Sequence, residues 1–385
     1  MNPVFAATGT SIFAQMSALA ADYGAVNLGQ GFPDFGWPDD VVAAAAAALT
    51  QRSNQYAPMR GLPELREAVA AHYRAHQNLA VSADEVTVTS GATEALAAAL
   101  FALIAPGDEV VLFQPLYDSY LPIVLAAGGV PRLIRLRPPG WRLDEKVLEA
   151  AFGERTRLVL FNNPHNPTSR MFDGDELALL ARFCVRHDAL AVSDEVWEHV
   201  VLGGRRHLPL AAFPGMAERT VKIGSAGKIF SLTGWKVGWA LAPPRLAGVL
   251  ASAHQFLTFA TAPNLQAAVA YGLGKDMAYY EEMRAAFTAA RDRLAAGLEE
   301  AGFAVLPAEG SYFLSIDLAE SGISAGDVEF CERAVRECGV AAIPVSAFYA
   351  EEPVTNVVRL CFAKREETLA AGIKGLARAR MLFEG

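Results

Sequence analysis

The sequence predicts an α/β protein: a mostly parallel central sheet flanked by helices, joined to a smaller α+β unit. Three observations predict it. From residue 85 onward, short Val/Leu/Ile-rich runs alternate with Ala/Leu-rich helical stretches, the rhythm of a parallel sheet covered on both faces. Near Lys275 that rhythm gives way to a long, charge-studded helical segment followed by strand-like runs. Hydrophobic residues make up 52% of the 385-residue chain and charged residues 19%, enough buriable surface for a sizeable core and two domains.

EVTVTS (85–90) reads as the first strand of the sheet, its β-branched residues suiting a pleated surface. ALAAALFALIA (95–105) reads as a buried helix ended by Pro106. EVVLF (109–113), RLVLF (157–161) and ALAVS (189–193) are short, continuous apolar runs, as expected of strands with no face left for water. TVKIGS (220–225) and VGWALA (237–242) continue the sheet. In the second unit, YYEEMRAAFTAARDRLAAGLEEAG (279–302) reads as a helix, and FAVLP (303–307), SYFLSIDL (311–318) and VVRLCFAK (357–364) as strands. The first thirty residues are expected to join them, giving a large domain over 31–274 and a small one from 1–30 and 275–385. The Ala43–Ala48 run expresses ordinary helix propensity.

Charge and cysteine usage narrow the function classes. Lys plus Arg number 33 against 42 Asp plus Glu, a balance of −9 with no basic run, so the footprint of nucleic-acid or anionic-membrane binding is missing. Cys184, Cys331, Cys338 and Cys361 show no CxxC and no metal-ligand spacing, which reads as buried thiols of a reducing compartment. No basic residue occurs in the first twenty, and the 95–105 run falls short of the roughly 20 residues that cross a bilayer. A cytoplasmic protein acting on small molecules is expected, with neither nucleic acid nor membrane as partner.

Several common chemistries lack their parts. A dinucleotide fold would need a third glycine where Asp34 follows Gly29-Gln30-Gly31. A P-loop around Gly227-Lys228 would need glycine at Lys222 and Ser or Thr at Ile229. The GxSxG elbow around Ser225 has Ile223 in place of its first glycine. His72 and His76 lie one helical turn apart but bring no third ligand or HExxH glutamate, so they read as surface histidines and no metal is assigned.

What survives is a set of polar residues at strand ends, where open α/β sheets bind ligands. Lys228, in SAGKIFSLTGWKVGW (225–239), follows an apolar strand among small residues. Alone it reads as an exposed lysine; partly desolvated, such an amine lowers its pKa and can form a Schiff base with an aldehyde. SGATEAL (90–96) turns from strand to helix, so backbone N–H groups near Ala92 and Thr93 can address a phosphate, or Thr93 can simply cap the helix. Asp194 in SDEVWEH (193–199) can pair with a protonated ring nitrogen, or cap a helix. NNPHNPTS (162–169) is a proline-braced turn able to hold the Asn166 amide rigidly, or merely to end a strand. Arg359 in VVRLCF is expensive inside an apolar strand unless its fork meets a carboxylate, from a ligand or from a structural ion pair.

Taken together and in order, from LGQGFPDF (28–35) to VVRLCFAK, these segments resemble the pyridoxal-phosphate-dependent aminotransferases of fold type I, class I. NQYAPMRGLPELREA (54–68), SGATEAL, SDEVWEH, the Lys228 segment and EGSYF (309–313) are most similar to the kynurenine, glutamine and methionine branch. The resemblance implies pyridoxal 5'-phosphate as cofactor, joined to Lys228, which then moves the proton between substrate and cofactor carbons. It implies that Asp194 keeps the pyridinium protonated and that Asn166 bonds the ring hydroxyl. Ala92, Thr93, Ser225 and Lys236 would grip the phosphate, Tyr117 would stack on the ring, and Arg359 with the backbone at Gly31 would take the substrate carboxylate. Tyr56 and Phe259 match positions that reach into a partner's site, implying a homodimer.

Two residues depart from the family pattern. Trp197 stands where a tyrosine bonds the ring oxygen; its indole N–H is expected either to donate there or to leave Asn166 alone, with a raised Schiff-base pKa. Ser169 stands where glycine often follows Asn-Pro-Thr, and a local backbone adjustment is expected. The implied reaction is a ping-pong transfer from an L-amino acid to a 2-oxo acid. No arginine can be assigned to a second carboxylate, and Phe13, Phe32, Phe259 and Phe313 could line an apolar pocket or belong to the core, so methionine, glutamine, aromatic amino acids or kynurenine are expected before aspartate. A carbon–sulfur β-lyase would use the same residues, and a cofactor-sensing regulator would need a DNA-binding module for which no basic N-terminal segment is present.

Overall fold

The computed structural model describes the chain apart from Thr8, Glu384 and Gly385, three residues at the outer ends of the expected small domain. Strand β1 (Val26–Asn27) precedes the main sheet, which is built from β2 (Val86–Ser90), β3 (Glu109–Gln114), β4 (Val130–Arg135), β5 (Thr156–Asn162), β6 (Leu190–Asp194), β7 (Thr220–Ser225) and β8 (Val237–Leu241). Its order is β2-β8-β7-β6-β5-β3-β4. From β7 to β4 neighbouring strands are parallel, and every residue of β3 and β6 is buried.

Two sequence readings need correction here. VGWALA was expected to extend a parallel sheet, but β8 runs antiparallel to both β2 and β7. Residues 226–236 hold only a four-residue helix (Ala226–Ile229) and a 3₁₀ turn (Thr233–Trp235), and a parallel crossover needs about a dozen residues or more. β4, absent from the sequence reading, lies at the sheet edge with alternating exposure. Pro131 and two arginines disguise it, and an edge is where a strand tolerates proline.

The smaller sheet has the order β12-β13-β10-β9, from β9 (Ala304–Val305), β10 (Phe313–Asp317), β12 (Ile343–Pro344) and β13 (Val357–Cys361), all antiparallel. β1 pairs in parallel with β11 (Val340–Ala341), which brings the N-terminal segment to the C-terminal one. Residues Pro3–Asp22 are long and apolar enough to cross a membrane by composition. They form two helices, Pro3–Ala7 and Ile12–Asp22, and the second buries Met16 and Ala20 near β11 and β12. The four cysteines are free and buried.

The helix Gly91–Leu103 positions the site. Its buried Ala95, Ala98 and Ala99 let it lie close on the sheet, and at Gly238 of β8 a Cβ would sit 2.7 Å from the Ala92 nitrogen. Only glycine permits that approach. Ser90 precedes the helix and Thr93 lies within its first turn, so Thr93 is not the cap.

His72, read as a surface histidine, is buried, its ring stacked at 4.2 Å on the half-buried His76. The helix Pro63–Gln77 turns this face toward the sheet. Ser169 adopts φ +61°, a left-handed conformation natural to glycine, and Ser311 at φ +59° joins it by an Oγ–Oγ hydrogen bond of 3.0 Å. The backbone keeps glycine's geometry and the hydroxyl finds a partner.

Within β7, fully buried Lys222 donates to Glu195 and, at 2.6 Å, to Glu198. Burial opposes the Glu195 charge, but Lys222 and His207 hold its pKa down to about 2. That stabilisation is complete above the ordinary carboxylate range and is lost as pH falls through about 2. Lys222→Met leaves two buried carboxylates without their cation, and urea denaturation should show a loss of about 3–5 kcal/mol at pH 7 that shrinks toward low pH. A loss below about 1 kcal/mol at pH 7 would show that the triad does not hold the fold.

Candidate active site

Across the ladders Asn162 faces Asp194 and Asp194 faces Ile223, so the carboxyl ends of β5, β6 and β7 finish side by side. A cavity of about 720 Å³, open mouth included, lies at this edge. Ala92, Thr93, Tyr117, Asn166, Asp194, Trp197, Ser225, Lys228 and Lys236 all line it. Residues more than 100 apart in sequence thus converge because parallel strands end together.

Lys228 leaves β7 on the helical turn Ala226–Ile229. Its Nζ donates to Tyr312 Oη at 3.0 Å and stands 4.6 Å from the centre of the Trp197 ring. Tyr312 in turn donates to the Gly31 carbonyl at 2.6 Å, fixing the hydroxyl's direction. Burial lowers the amine to about 8, against the pull of Asp194 and with the push of Arg359 and Lys236. About a tenth of such an amine is unprotonated at pH 7, far more than of an ordinary lysine. Trp197 presents its ring to this amine and meets Tyr312 edge-on at 4.2 Å.

Asp194 ends β6 with its carboxylate buried. Tyr120 donates to Oδ2 at 2.6 Å and the Val196 N–H to Oδ1 at 3.3 Å. Burial nevertheless raises its pKa to about 6, because these bonds and Lys228 only partly offset desolvation. The Asn162 side chain donates to the Asp194 carbonyl at 2.8 Å and accepts from the Asn166 N–H at 2.7 Å. One amide thereby locks the Asn166 turn to the strand end. Tyr117 packs edge-on to Tyr120 at 5.6 Å.

Arg359 lies in β13, fully buried. Its Nη1 donates to Asn166 Oδ1 at 2.9 Å and its Nη2 to the Gly29 carbonyl at 3.1 Å, while Nε has no partner. The guanidinium sits 3.9 Å from the ring centre of Phe313 and 5.1 Å from those of Phe13 and Phe348. No carboxylate pairs with it among the described residues, which removes the structural ion pair as its explanation. Burial lowers it to about 10, the cost of a cation without its anion. Gly31 packs under Phe313, where a Cβ would approach within 2.8 Å.

Comparison with known proteins decides the family. Residues 23–376 match the model of aminotransferase class I and II. The chain is a class I/II aminotransferase. It is 44% identical to a probable N-succinyldiaminopimelate aminotransferase of Mycobacterium tuberculosis over 380 residues, 96% of each chain. It is 42% identical to the methionine aminotransferase of Escherichia coli over 370 residues, 96% of this chain and 95% of the relative. Kynurenine–oxoglutarate transaminase 1 of Homo sapiens is 35% identical over 389 residues, 92% of each. The solved Mycobacterium tuberculosis structure superposes with a TM-score of 0.95 over 98% of this chain and all of that one. The fold is therefore that of fold type I, as the sequence resemblance implied.

Membership implies pyridoxal phosphate, and the aminotransferase's own residues fit that group. The buried Asp194 carboxylate lacks a full positive partner, as a site for a protonated ring nitrogen requires. A half-desolvated amine suited to an aldehyde faces the same cavity. Beside them, the start of the helix Gly91–Leu103 lies so near Lys236 that a Cβ at Gly91 would come within 3.2 Å of its Nζ. Cation and helix N-terminus together suit a phosphate.

Tyr56 and Phe259 do not line this cavity; they pair edge-on at 5.5 Å on the surface, 85% and 41% exposed. Phe32 is exposed too, covered on one side by Lys364. Sequence reasoning missed Tyr120, Asn162, Tyr312 and Phe348. Tyr120 lies three residues after Tyr117 and Tyr312 stands inside EGSYF, but their partners lie 74 and 84 residues away.

Asp194 titrates above its unfolded value, so its charge costs stability as pH rises from about 4 through about 6. Asp194→Asn should therefore stabilise the cofactor-free protein by on the order of 3 kcal/mol at pH 7 and by nothing near pH 3.5. Urea titrations across this range check it; a gap independent of pH would contradict the assignment.

Proposed function

We propose that this aminotransferase uses pyridoxal phosphate to move the amino group of an L-amino acid with an uncharged side chain (methionine, glutamine, aromatic or kynurenine-like) to a 2-oxo acid, in two half-reactions. The observation that carries the reading is that a half-buried amine at 228 and a buried carboxylate at 194 face one cavity. When bound, the cofactor supplies a carbonyl for the amino group and an electron sink for the pair released at the substrate α-carbon.

The chain's residues divide the remaining work. Asp194, held by Tyr120, would keep a proton on the ring nitrogen, and the incoming cation would draw its carboxyl fully into the charged form. Lys228 Nζ would hold the aldehyde carbon and then take the α-proton and return it to the neighbouring carbon. Its depressed pKa suits both directions near neutrality. Tyr312, anchored on the Gly31 carbonyl, aims that nitrogen. Ala92 and Thr93 N–H groups with Ser225 and Lys236 would bind phosphate, Asn166 the ring oxygen, and Tyr117 a ring face. Trp197 offers Lys228 a π surface where a phenol stands in relatives.

Arg359 would receive the substrate α-carboxylate, satisfying the unpartnered Nε and relieving its uncompensated burial. Phe13, Phe313 and Phe348 exclude water around that pair. Among the described residues lining the cavity, Lys228, Lys236 and Asp194 are the charged ones, and none is free to bind a second carboxylate once the cofactor is in place. That supports methionine, glutamine, aromatic or kynurenine-like donors, in keeping with the methionine and kynurenine enzymes among the relatives. The exposed Tyr56–Phe259 pair supports a homodimer in which they complete the partner's site. The division into 31–274 and 1–30 with 275–385 belongs to the same reading.

The reconstituted enzyme should be converted to its aminated form by methionine, phenylalanine, kynurenine or glutamine, with kcat/KM for aspartate lower by about 100-fold or more. N-Succinyldiaminopimelate belongs in the same spectrophotometric screen, because a preference for it over methionine would overturn the uncharged-side-chain assignment. Lys228→Ala should bind cofactor and fold but lose turnover; retained turnover would remove Lys228 from the chemistry.

A further inference from the structure

Outside the cavity that holds Lys228 and Asp194, three histidines meet. His72 and His76 stand one turn apart on the helix Pro63–Gln77, and His199 lies five residues beyond the end of β6. Their candidate ligand atoms all lie within 4.8 Å of one another. His72 Nε2 is 2.7 Å from His199 Nε2, although 127 residues separate them in the chain. This is the third ligand that spacing alone could not supply. We propose that His72, His76 and His199 form a binding site for one divalent transition-metal ion of the zinc class, separate from the transamination site.

The donor set favours such an ion. Three imidazoles suit zinc, cobalt, nickel or copper and do not suit magnesium or calcium. Three protein ligands leave further positions for water, and a second cavity of about 1160 Å³ opens on His76 and His199, giving the ion a route in. Burial keeps the rings unprotonated: His72 is lowered to about 3, His199 well below its usual value and His76 less strongly. Their lone pairs are thus available at neutral pH.

The proton balance closes without an outside acid or base. One hydrogen now lies between the two Nε2 atoms; for both to bind metal, the donating ring shifts that hydrogen to its own Nδ1, and each imidazole stays neutral. Tyr280 Oη lies 3.5 Å from His72 Nδ1, placed to accept the N–H that His72 carries there when its Nε2 is free to ligate. That is the outer partner a ligating histidine ordinarily has. Of the charges close by, Lys222 is matched by Glu195 and Glu198, two carboxylates to one ammonium. Arg205, Arg206 and Arg284 on the cavity wall oppose the ion, Arg205 being matched by Glu309.

The test uses chelator-treated, cofactor-loaded enzyme titrated with Zn²⁺ and, as a spectroscopic probe, Co²⁺. One ion per chain, a visible Co²⁺ band of nitrogen ligation and a rise in Tm with added Zn²⁺ are expected. His76→Gln, changed at the half-buried ring, should fold, keep its metal-free transamination rate, weaken Zn²⁺ binding by at least about 10-fold and abolish the Tm rise. His199→Gln should lose the site equally, whereas His187→Gln should not. Zn²⁺ binding as tight in His76→Gln as in the parent, or parent binding weaker than about 0.1 mM, overturns the proposal.

Discussion

A carboxylate placed at the end of a buried strand, without a cation of its own, is the constraint around which this molecule is arranged. Asp194 is held by a tyrosine hydroxyl and a backbone N–H, enough to fix its direction and too little to neutralise the cost of its burial. The fold tolerates that cost because the large apolar core around the sheet contributes far more stability than one unpaired charge removes. The unmet charge is what gives a cationic heteroaromatic ring a reason to bind there. Arg359 repeats the design with the sign reversed, a guanidinium among phenylalanines whose Nε awaits an acceptor.

Both groups are expensive, and the scaffold is correspondingly rigid where they attach. Asn162 ties the Asp194 carbonyl to the Asn166 turn, and Asn166 ties that turn to Arg359 in the smaller sheet. A single chain of amide hydrogen bonds therefore connects the group suited to the cofactor with the group suited to the substrate. Behind it, Lys222 gathers Glu195 and Glu198, so the segment carrying Trp197 cannot shift without breaking buried charge pairs. Preorganisation of this kind trades folding stability for readiness to react.

Much of this was legible in the sequence because strand-ending residues betray themselves. Asp194, Asn166 and Lys228 each follow an apolar run, and a parallel sheet must bring such ends to one edge. Arg359 was legible as a charge inside a strand. The antiparallel β8 was written in the short connection before it, a signal that strand rhythm overrode. Tyr312 was not legible, since its value comes from Lys228 and Gly31, brought to it by tertiary folding. His199 was hidden for the same reason: helix spacing displays the His72–His76 pair, while the third ring arrives from another element.

The central claim is that the amine at 228, rather than that of Lys236 in the same cavity, is the covalent attachment point for the aldehyde. Borohydride reduction of the yellow, cofactor-loaded protein followed by peptide mass mapping measures this directly. A single phosphopyridoxyl group on the peptide containing Lys228 is the predicted result. The same mass on Lys236, with Lys228 unmodified, would contradict it.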